Sequence, residues 1–465
     1  MSEKTKAELL KEKLFISKKN GLCEVEDAKW EKINEFCEGY KKFLSDGKTE
    51  REAAAAAIAI AEKAGFTPFE EGKKYSAGDK YYVNNRDKTV AFVVVGKKSV
   101  DNGVQITAAH IDSPRLDLKP NPLYEDTDMA LFKTHYYGGI KKYQWTTIPL
   151  SLHGVFAKKD GSVISVNIGE DEADPCFVVT DLLPHLAQEQ SKRTLADGIR
   201  GEELNILIGS RPFKDDKGSE LVKLNIMSIL NEKYGVTEED FLSAELEIVP
   251  AVKPRDIGFD RSMIGAYGHD DRVCAYPALK AICEVENPEK TAVAILADKE
   301  ETGSDGNTGL NSAFLKYVIR DIAEMQGVDY TVALRHSKCL SADVNAGMDP
   351  TFKDVMEAKN ASKLNYGAVI TKYTGARGKS GTSDASAEYV AEVRNMLDKA
   401  GIAWQTGELG RVDLGGGGTV AMYVANLGVD VVDLGVPVLS MHAPFEVVAK
   451  FDVYETYRTM YEFCK

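Results

Sequence analysis

Strand-type apolar runs and helix-type segments alternate along most of the chain. The run "TVAFVVVGKK" (89–98) is followed by "VQITAAH" (104–110), and the Asn-Gly pair between the two runs predicts a tight turn. Thr49 and Glu52 form a capping-box pattern in front of an alanine-rich segment, which predicts a helix up to Gly65. The remaining clear segments are three strand-type runs, "TAVAILADKEE", "YTVALRHSKCLSADV" and "VDVVDLGVPVLSMH", and the helical "DASAEYVAEVRNMLDKAG".

This alternation indicates an α/β fold, in which helices cover both faces of a mixed sheet. Residues 122–254 have a different pattern, because "HYYGGIKKYQW", "IPLSLHGVFAKK", "SVISVNIG" and "PCFVVTDL" are short β-type runs without regular helices between them. We therefore expect residues 1–121 and 255–465 to form one α/β domain, interrupted by a β-rich insert at 122–254.

Length, charge and cysteine content narrow the class of protein. The chain has 465 residues, 43% of them hydrophobic, but no apolar segment approaches the ~20 residues of a membrane span, and the N-terminal segment is charged. Seven cysteines without a C-x-x-C pair fit a reducing compartment. A net charge of −14 weighs against nucleic acid. We expect a soluble cytoplasmic protein that binds neither nucleic acid nor membrane.

Polar residues of metal-ligand type stand where the apolar runs end. In α/β sheets, sites form beyond the carboxyl ends of the strands, so we expect these residues to meet. Each has a simpler explanation when taken alone: a structural histidine, a helix cap in "GHDDRV", or a solvated acidic loop around the paired glutamates. The candidates, in chain order, are His110, Asp112, Asp270, Glu300, Glu301, Asp343 and His442.

Imidazole and carboxylate groups are suitable zinc ligands. Two zinc ions carry four positive charges, which Asp270, Glu301 and Asp343 balance together with one bridging hydroxide. Asp112 follows His110 at the spacing that lets its carboxylate accept the second ring N–H of the histidine. A two-metal hydrolase also needs an unligated carboxylate as proton acceptor, so two adjacent glutamates can divide the tasks of metal ligand and general base.

These residues, in this order, resemble the M18 metallopeptidases, the aspartyl aminopeptidase and aminopeptidase I family. "HIDSPRLDLKP" (110–120) is the most specific segment, and the match runs from about residue 50 to the C-terminus. The resemblance implies two Zn²⁺ per subunit, with Mn²⁺ or Co²⁺ as substitutes. His110, Asp270 and Asp343 would hold one ion, and Asp270, Glu301 and His442 the other, with Glu300 as general base and Asp112 completing the catalytic group.

The resemblance also implies an activity and an assembly. The protein would remove N-terminal residues from peptides with a free N-terminus, by attack of metal-bound hydroxide on the first peptide bond. The insert would pair subunits within a tetrahedral homododecamer that encloses a chamber. It would also contribute a catalytic histidine to the neighbouring site, and His185 in "PHLA" is the best match, with His153 as the next candidate.

Two charged residues bear on substrate preference. In "DVNAGMDP", Ala346 and Asp349 stand where the family often has histidines, while Lys372 matches a lysine on the family's substrate side. Asp349 would disfavour an acidic N-terminal residue and Lys372 would favour one. We therefore expect neutral or broad specificity.

Two other functions fit the same ligand order. A related two-zinc amidohydrolase or deacylase would use the same metal pair on another amide, and an inactive shell-forming assembly protein would retain the site without activity. The long insert and the "HIDSPRLDLKP" segment favour the aminopeptidase.

Overall fold

The computed structural model describes residues 4–215 and 217–465, and this part of the chain contains ten α-helices. They are α1 (Lys6–Leu14), α2 (Asp27–Asp46), α3 (Glu50–Lys63), α4 (Leu221–Tyr234), α5 (His269–Glu284), α6 (Phe314–Met325), α7 (Tyr330–His336), α8 (Ala387–Ala400), α9 (Ala421–Ala425) and α10 (Lys450–Cys464). The capping box predicted for α3 is present, since Thr49 accepts from Glu52 N–H and the Glu52 side chain accepts from Thr49 N–H.

The strands of the same residues form three sheets. They are β1 (Thr67–Pro68), β2 (Lys80–Asn85), β3 (Thr89–Val94), β4 (Gln105–His110), β5 (Arg115–Asp126), β6 (Met129–Tyr137), β7 (Leu150–Ala157), β8 (Val163–Ile168), β9 (Val178–Val179), β10 (Ile206–Gly209), β11 (Ala244–Pro250), β12 (Arg255–Ile257), β13 (Met263–Ala266), β14 (Ala292–Ala297), β15 (Lys338–Ser341), β16 (Asn345–Ala346), β17 (Ala368–Thr371), β18 (Trp404–Thr406), β19 (Asp430–Gly435), β20 (Pro437–Leu439) and β21 (Glu446–Ala449). The prediction of a mixed α/β fold is confirmed.

The largest sheet has nine strands in the order β1-β2-β3-β14-β4-β15-β19-β17-β18. Its central strands β14, β4, β15 and β19 are parallel, whereas β3 and β17 run antiparallel to their central neighbours. Ala297 pairs with His110, so β14 and β4 end at the same level. The residues that follow these strands therefore leave the sheet at one edge.

Side chains of this sheet alternate between two apolar clusters. Along β3, Val90, Phe92 and Val94 pack in one cluster, while Ala91 and Val93 pack in the other. The first cluster includes residues of α2, α3, α5, α8 and α10, and the second includes residues of α6, α7 and α9. Such two-sided burial explains why the central strands read as continuous apolar runs.

A second sheet of seven strands, in the order β8-β7-β11-β5-β6-β10-β9, is formed within residues 115–250 and has its own apolar cluster. We expected no regular helices in this region, and this expectation is wrong, because α4 lies in it. Strand β5 crosses the expected boundary at 121/122, with a register shift between Leu118 and Leu123. The boundaries 1–121, 122–254 and 255–465 stay a prediction.

A third sheet, of five strands in the order β12-β13-β21-β20-β16, brings the segment after β20 to the edge where the central strands end. Among residues 4–215 and 217–465, no helix has the length and apolar character needed to cross a bilayer.

One local prediction is confirmed and another is wrong. The tight turn predicted from the Asn-Gly pair is present as a 3-10 turn, Val100–Asn102, although β14 lies between β3 and β4 in the sheet. Gly103 has φ 86°, and a Cβ there would lie 1.8 Å from the carbonyl oxygen of His336, which explains the glycine. The segment 330–336, expected to be strand, is helix α7, and β15 begins only at Lys338.

Candidate active site

His110 is the last residue of β4, and its buried ring lies between two carboxylates. Its Nε2 lies 3.1 Å from Asp270 Oδ1, and its Nδ1 lies 3.2 Å from Asp112 Oδ1 and 3.1 Å from the Asp112 carbonyl oxygen. Asp112 therefore fixes Nδ1, while Nε2 points toward Asp270 and the site. This is the relation expected for the H-x-D pair.

The Asp270 carboxylate lies between the two candidate histidine ligands. Oδ1 faces His110, and Oδ2 lies 3.1 Å from His442 Nε2. Asp270 does not act as a helix cap, because the N-cap of α5 is Gly268, without a side-chain capping bond, and Asp270 itself has non-helical angles. The adjacent Asp271 is also buried, and its Oδ2 lies 3.4 Å from the backbone nitrogen of His110.

Glu300 and Glu301 lie in a 3-10 turn directly after β14. Their backbone N–H groups donate to the two oxygens of Asp112, each at 3.1 Å, so that one carboxylate fixes the turn. Glu301 Oε2 lies 3.4 Å from His442 Nε2, and Glu300 Oε2 lies 3.9 Å from His110 Nε2. The side chains are 18% and 3% exposed for Glu300 and Glu301, so this is not a solvated acidic loop.

Asp343 follows β15, and its Oδ1 lies 3.8 Å from His110 Nε2. Ligand atoms from three groups of residues each lie within 4.8 Å of one another. The groups are His110, Asp270 and Asp343; Asp270, Glu301 and His442; and His110, Glu300 and Glu301. The first two are the sets expected from the sequence, with Asp270 shared.

The chemistry of this cluster fits bound cations. Five carboxylates surround two imidazoles, and burial raises the pKa of Glu300 to about 7, with Asp270 adding to the shift and His110 opposing it. Burial also raises the pKa values of Glu301 and Asp343 well above the usual range. Glu301 Oε1 is buried and accepts no hydrogen bond from the described residues. Divalent ions would stabilise the ionised form of these carboxyl groups and satisfy the unpaired oxygen of Glu301.

Three further groups position the histidines and were not found in the sequence. The Tyr137 hydroxyl donates to Asp112 Oδ2 at 2.8 Å, and His442 Nδ1 donates to the carbonyl oxygen of Gly139 at 2.7 Å. Glu446 accepts from the backbone N–H groups of His442 (2.7 Å) and Asp270 (3.2 Å). Only Glu446 gave a signal, as a carboxylate four residues after His442 in an otherwise apolar segment.

A cavity of about 460 Å³ is bordered by Asp270, Glu300, Glu301, Asp343 and His442. Besides the metal-ligand candidates, its wall contains the apolar side chains of Val344, Leu409, Met422 and Met441, together with glycines of the "GGGG" segment, 415–418. No lysine or arginine is among the described residues that line it.

The expected substrate residues lie elsewhere. Lys372 is exposed and lines a second cavity, whereas Thr371 directly before it bonds to Asn345 on the wall of the first. Asp349 accepts from the backbone N–H of Thr351 and does not line the first cavity. The structure therefore does not bring either charge to the metal-ligand cluster.

The two histidines considered for a neighbouring site differ in exposure. His185 lies in an exposed turn after β9 and does not line the first cavity. His153 is buried in β7, with Nδ1 2.8 Å from Glu52 and Nε2 3.1 Å from Glu170. Both ring nitrogens of His153 are thus engaged within the subunit.

Comparison with known proteins identifies the family of this chain. A family model described as "Aminopeptidase I zinc metalloprotease (M18)" matches residues 43–464. A probable M18 family aminopeptidase 1 from Clostridium acetobutylicum is 52% identical over 447 residues, which are 94% of this chain and 96% of the relative.

Solved structures have the same fold. The crystal structure of an M18 family aminopeptidase from Thermotoga maritima has a TM-score of 0.93 at 46% identity, covering 97% of this chain and 99% of that chain. The mApe1 dodecamer of S. cerevisiae has a TM-score of 0.74 at 20% identity, covering 92% and 95%. Because the sequence match spans nearly the whole chain, the protein belongs to the M18 family and is a zinc aminopeptidase, a hydrolase of peptide bonds.

Proposed function

We propose that each subunit binds two zinc ions and uses them to remove N-terminal residues from peptides. The observation that carries this proposal is the Asp270 carboxylate, whose two oxygens each lie 3.1 Å from the Nε2 atom of a different histidine. One ion would be held by His110, Asp270 and Asp343, and the other by Asp270, Glu301 and His442. Mn²⁺ and Co²⁺, which accept the same nitrogen and oxygen donors, are the expected substitutes.

Bound zinc would polarise the scissile carbonyl and lower the pKa of an attacking water. Glu300 would accept the proton of that water and pass it to the leaving amine. It is suited to this role because Asp112 fixes its backbone while its carboxylate stays outside the two groups that share Asp270. Asp112 keeps His110 oriented, and the surrounding carboxylates attract the α-ammonium group of the peptide.

The first cavity supports neutral rather than acidic specificity. Its apolar wall suits an uncharged first side chain, and no described lysine or arginine lines it to pair with an acidic one. The expected preference is therefore kept, but for a different reason, since neither Lys372 nor Asp349 lies on this wall.

We also propose that the protein is a homo-oligomer, specifically a tetrahedral dodecamer in which the seven-stranded sheet pairs subunits. The printed description of the S. cerevisiae structure as a dodecamer supports this proposal. The exposed turn with His185 also carries exposed Leu182, Leu183 and Leu186, a surface suited to burial against another subunit. His185 would then reach the neighbouring site. A cytoplasmic location is proposed from the seven unpaired cysteines.

Metal content measured beside substrate class tests this function. The purified protein should contain two equivalents of zinc, lose activity with a chelator and regain it with Zn²⁺. Leucyl peptides with a free amine should be cleaved, and their N-acetylated forms should not. Hydrolysis of the acetylated forms alone would indicate a deacylase, and bound zinc without any hydrolysis would indicate an inactive assembly protein.

A further inference from the structure

A second cavity, of about 830 Å³, lies at the edge of the nine-stranded sheet formed by β17 and β18. Helix α8 forms one wall, and the segment between α1 and α2 contributes Ile16 and Lys18. None of the residues that line it lines the first cavity. It is thus distinct from the cavity at the metal-ligand cluster.

Cationic side chains dominate this second cavity. Five line it, and within residues 4–215 and 217–465 none of the five makes an ion pair; they are Lys18, Lys359, Lys363, Lys372 and Arg394. The two carboxylates of the lining bind neutral donors instead. Asp398 accepts from the Trp404 indole N–H at 2.8 Å, and Glu408 accepts from the Tyr373 hydroxyl at 2.7 Å. In a chain of net charge −14, such a group of unpaired cations requires an explanation.

Aromatic rings hold three of these cations. Lys18 Nζ lies 3.7 Å from the centre of the Trp404 ring, the Arg394 guanidinium lies 5.6 Å from the same ring, and Lys363 lies 5.5 Å from the Tyr366 ring. A ring attracts a cation without cancelling its charge or using its N–H donors. Burial lowers the pKa of Lys18; nearby Asp398 opposes this shift and Arg394 adds to it. An anion in the cavity would relieve this unfavourable charge.

The shape and the ring contacts limit the ligand. The volume is that of a small-molecule pocket rather than a macromolecular surface. Because cations already lie over the Trp404 and Tyr366 rings, the geometry favours charge recognition over stacking of an aromatic ligand. The fitting class is a small, non-aromatic molecule with two or more phosphate or carboxylate groups.

One residue links the two cavities. Asn345 lines the first cavity, and its side chain accepts from the Ser362 hydroxyl at 2.7 Å and donates to the Thr371 hydroxyl at 3.0 Å. Lys363, which follows Ser362 in the chain, and Lys372, which follows Thr371, both line the second cavity. A ligand that draws these two lysines inward would move the supports of Asn345.

We propose that the second cavity binds a small polyanion and that its occupancy changes peptide hydrolysis in the first. The experiment titrates zinc-loaded enzyme with fructose 1,6-bisphosphate and, separately, with tricarballylate, by calorimetry and in a leucyl-peptide assay. The two probes distinguish phosphate from carboxylate recognition. Tricarballylate lacks the hydroxyl that makes citrate a stronger chelator of the zinc.

The decisive variant is the double substitution Lys18→Gln and Arg394→Gln. Its control, Lys19→Gln with Lys399→Gln, removes the same charge from neighbouring positions outside the cavity. At least one probe should bind the wild type and the control, and the decisive variant should bind it at least about tenfold more weakly, since a lost charge-assisted hydrogen bond costs roughly that much. The bound probe should also shift KM or kcat in the wild type and the control, but not in the decisive variant.

Three results would overturn the proposal. The first is no binding of either probe to the wild type up to about 10 mM, weaker than the millimolar range in which a small ligand is still recognised. The second is equal binding by the decisive and control variants, which would mean a general effect of charge. The third is binding that leaves hydrolysis unchanged, which would refute the link through Asn345.

Discussion

The hydroxyl of Tyr137 lies 2.8 Å from Asp112 Oδ2, and this contact joins the seven-stranded sheet to the metal-ligand cluster. Tyr137 ends β6, and the guanidinium of Arg115 lies 3.9 Å from the centre of its ring. Burial, followed by the charge of Asp112, raises the pKa of Tyr137, so the hydroxyl stays protonated and donates. The β-rich region therefore shapes the site within its own subunit, apart from any role in assembly.

Replacing Tyr137 by phenylalanine should weaken metal binding. The substitution removes one of the donors that hold Asp112, and Asp112 orients His110. Loss of such an outer partner costs about 10–100-fold in metal affinity or activity, and we expect the lower end because two backbone N–H groups still bind Asp112. Zinc affinity is measured by competition with a chromophoric chelator.

Tyr136→Phe is the matched control, because Tyr136 is 41% exposed and precedes Tyr137 in the same strand. It should leave zinc affinity unchanged. Equal affinity in Tyr137→Phe and wild type would mean that the hydroxyl has no positioning role.

Changing each of the adjacent glutamates to glutamine should have a different effect on metal content and turnover. Glu300→Gln should retain both metals and lose about 10²–10⁴-fold in turnover, because only the proton acceptor is removed. Glu301→Gln should lose metal from the His442 side, where Glu301 Oε2 lies 3.4 Å from Nε2. Metal content and kcat are measured on both variants. Near wild-type turnover of Glu300→Gln, or loss of its metal, would refute the assignment of Glu300 as general base.

The metal-ligand cluster could be predicted because its members follow apolar runs. In the parallel centre of the nine-stranded sheet, strands end at one edge, so His110, Glu301 and Asp343 meet although they are far apart in the chain. Their spacing and residue types were visible in the sequence.

The partners of these ligands could not be predicted in the same way. Tyr137 ends a strand of the second sheet and Gly139 follows that strand, so their contacts depend on how two sheets pack rather than on local pattern. Lys372 lies on the second cavity for another reason. Lys372 directly follows β17, whose last residue, Thr371, faces Asn345. Because side chains alternate along a strand, the residue one position after Thr371 points to the other cavity.

The order of strands in the sheet and the type of short elements could not be predicted from the sequence either. The Asn-Gly signal is local, whereas the position of β14 between β3 and β4 is set by distant contacts. The apolar residues of 330–336 are too few to separate helix from strand by periodicity.

A buried histidine far from the metal ligands should make stability depend on pH. Burial alone would lower the pKa of His153, but hydrogen bonds to Glu170 and Glu52 raise it above 6.5. Its contribution is therefore complete below pH 6.5 and is lost as the pH rises through the raised value. Burial opposes ionisation of Glu170, but His153 and Lys48 lower its pKa from 4.5 to about 2, so its contribution is lost only as the pH falls through that range.

His153→Gln should thus destabilise the protein most between these limits, near pH 5.5, by about 1–3 kcal/mol for a hydrogen bond to a charged group. The penalty should shrink at alkaline pH, where the wild-type imidazole is neutral. Thermal midpoints of variant and wild type are compared from about pH 5 to 9. His135→Gln is the control, since His135 is exposed in β6 of the same sheet. A penalty that is constant across this range would contradict a charged His153.

His185 is exposed and lies outside the metal-ligand cluster's cavity. If it serves the neighbouring subunit's site as an oxyanion donor, His185→Ala should lose about 10²–10³-fold in turnover while keeping its zinc. Mixing this variant with Glu300→Gln under reassembling conditions should restore part of the activity, because some sites would combine an intact Glu300 with an intact neighbouring His185. Mixing Asp270→Asn with Glu300→Gln is the control, since both defects lie in one subunit's site and no exchange can repair them. Mixed oligomers that recover no more activity than this control would show that His185 does not act across subunits.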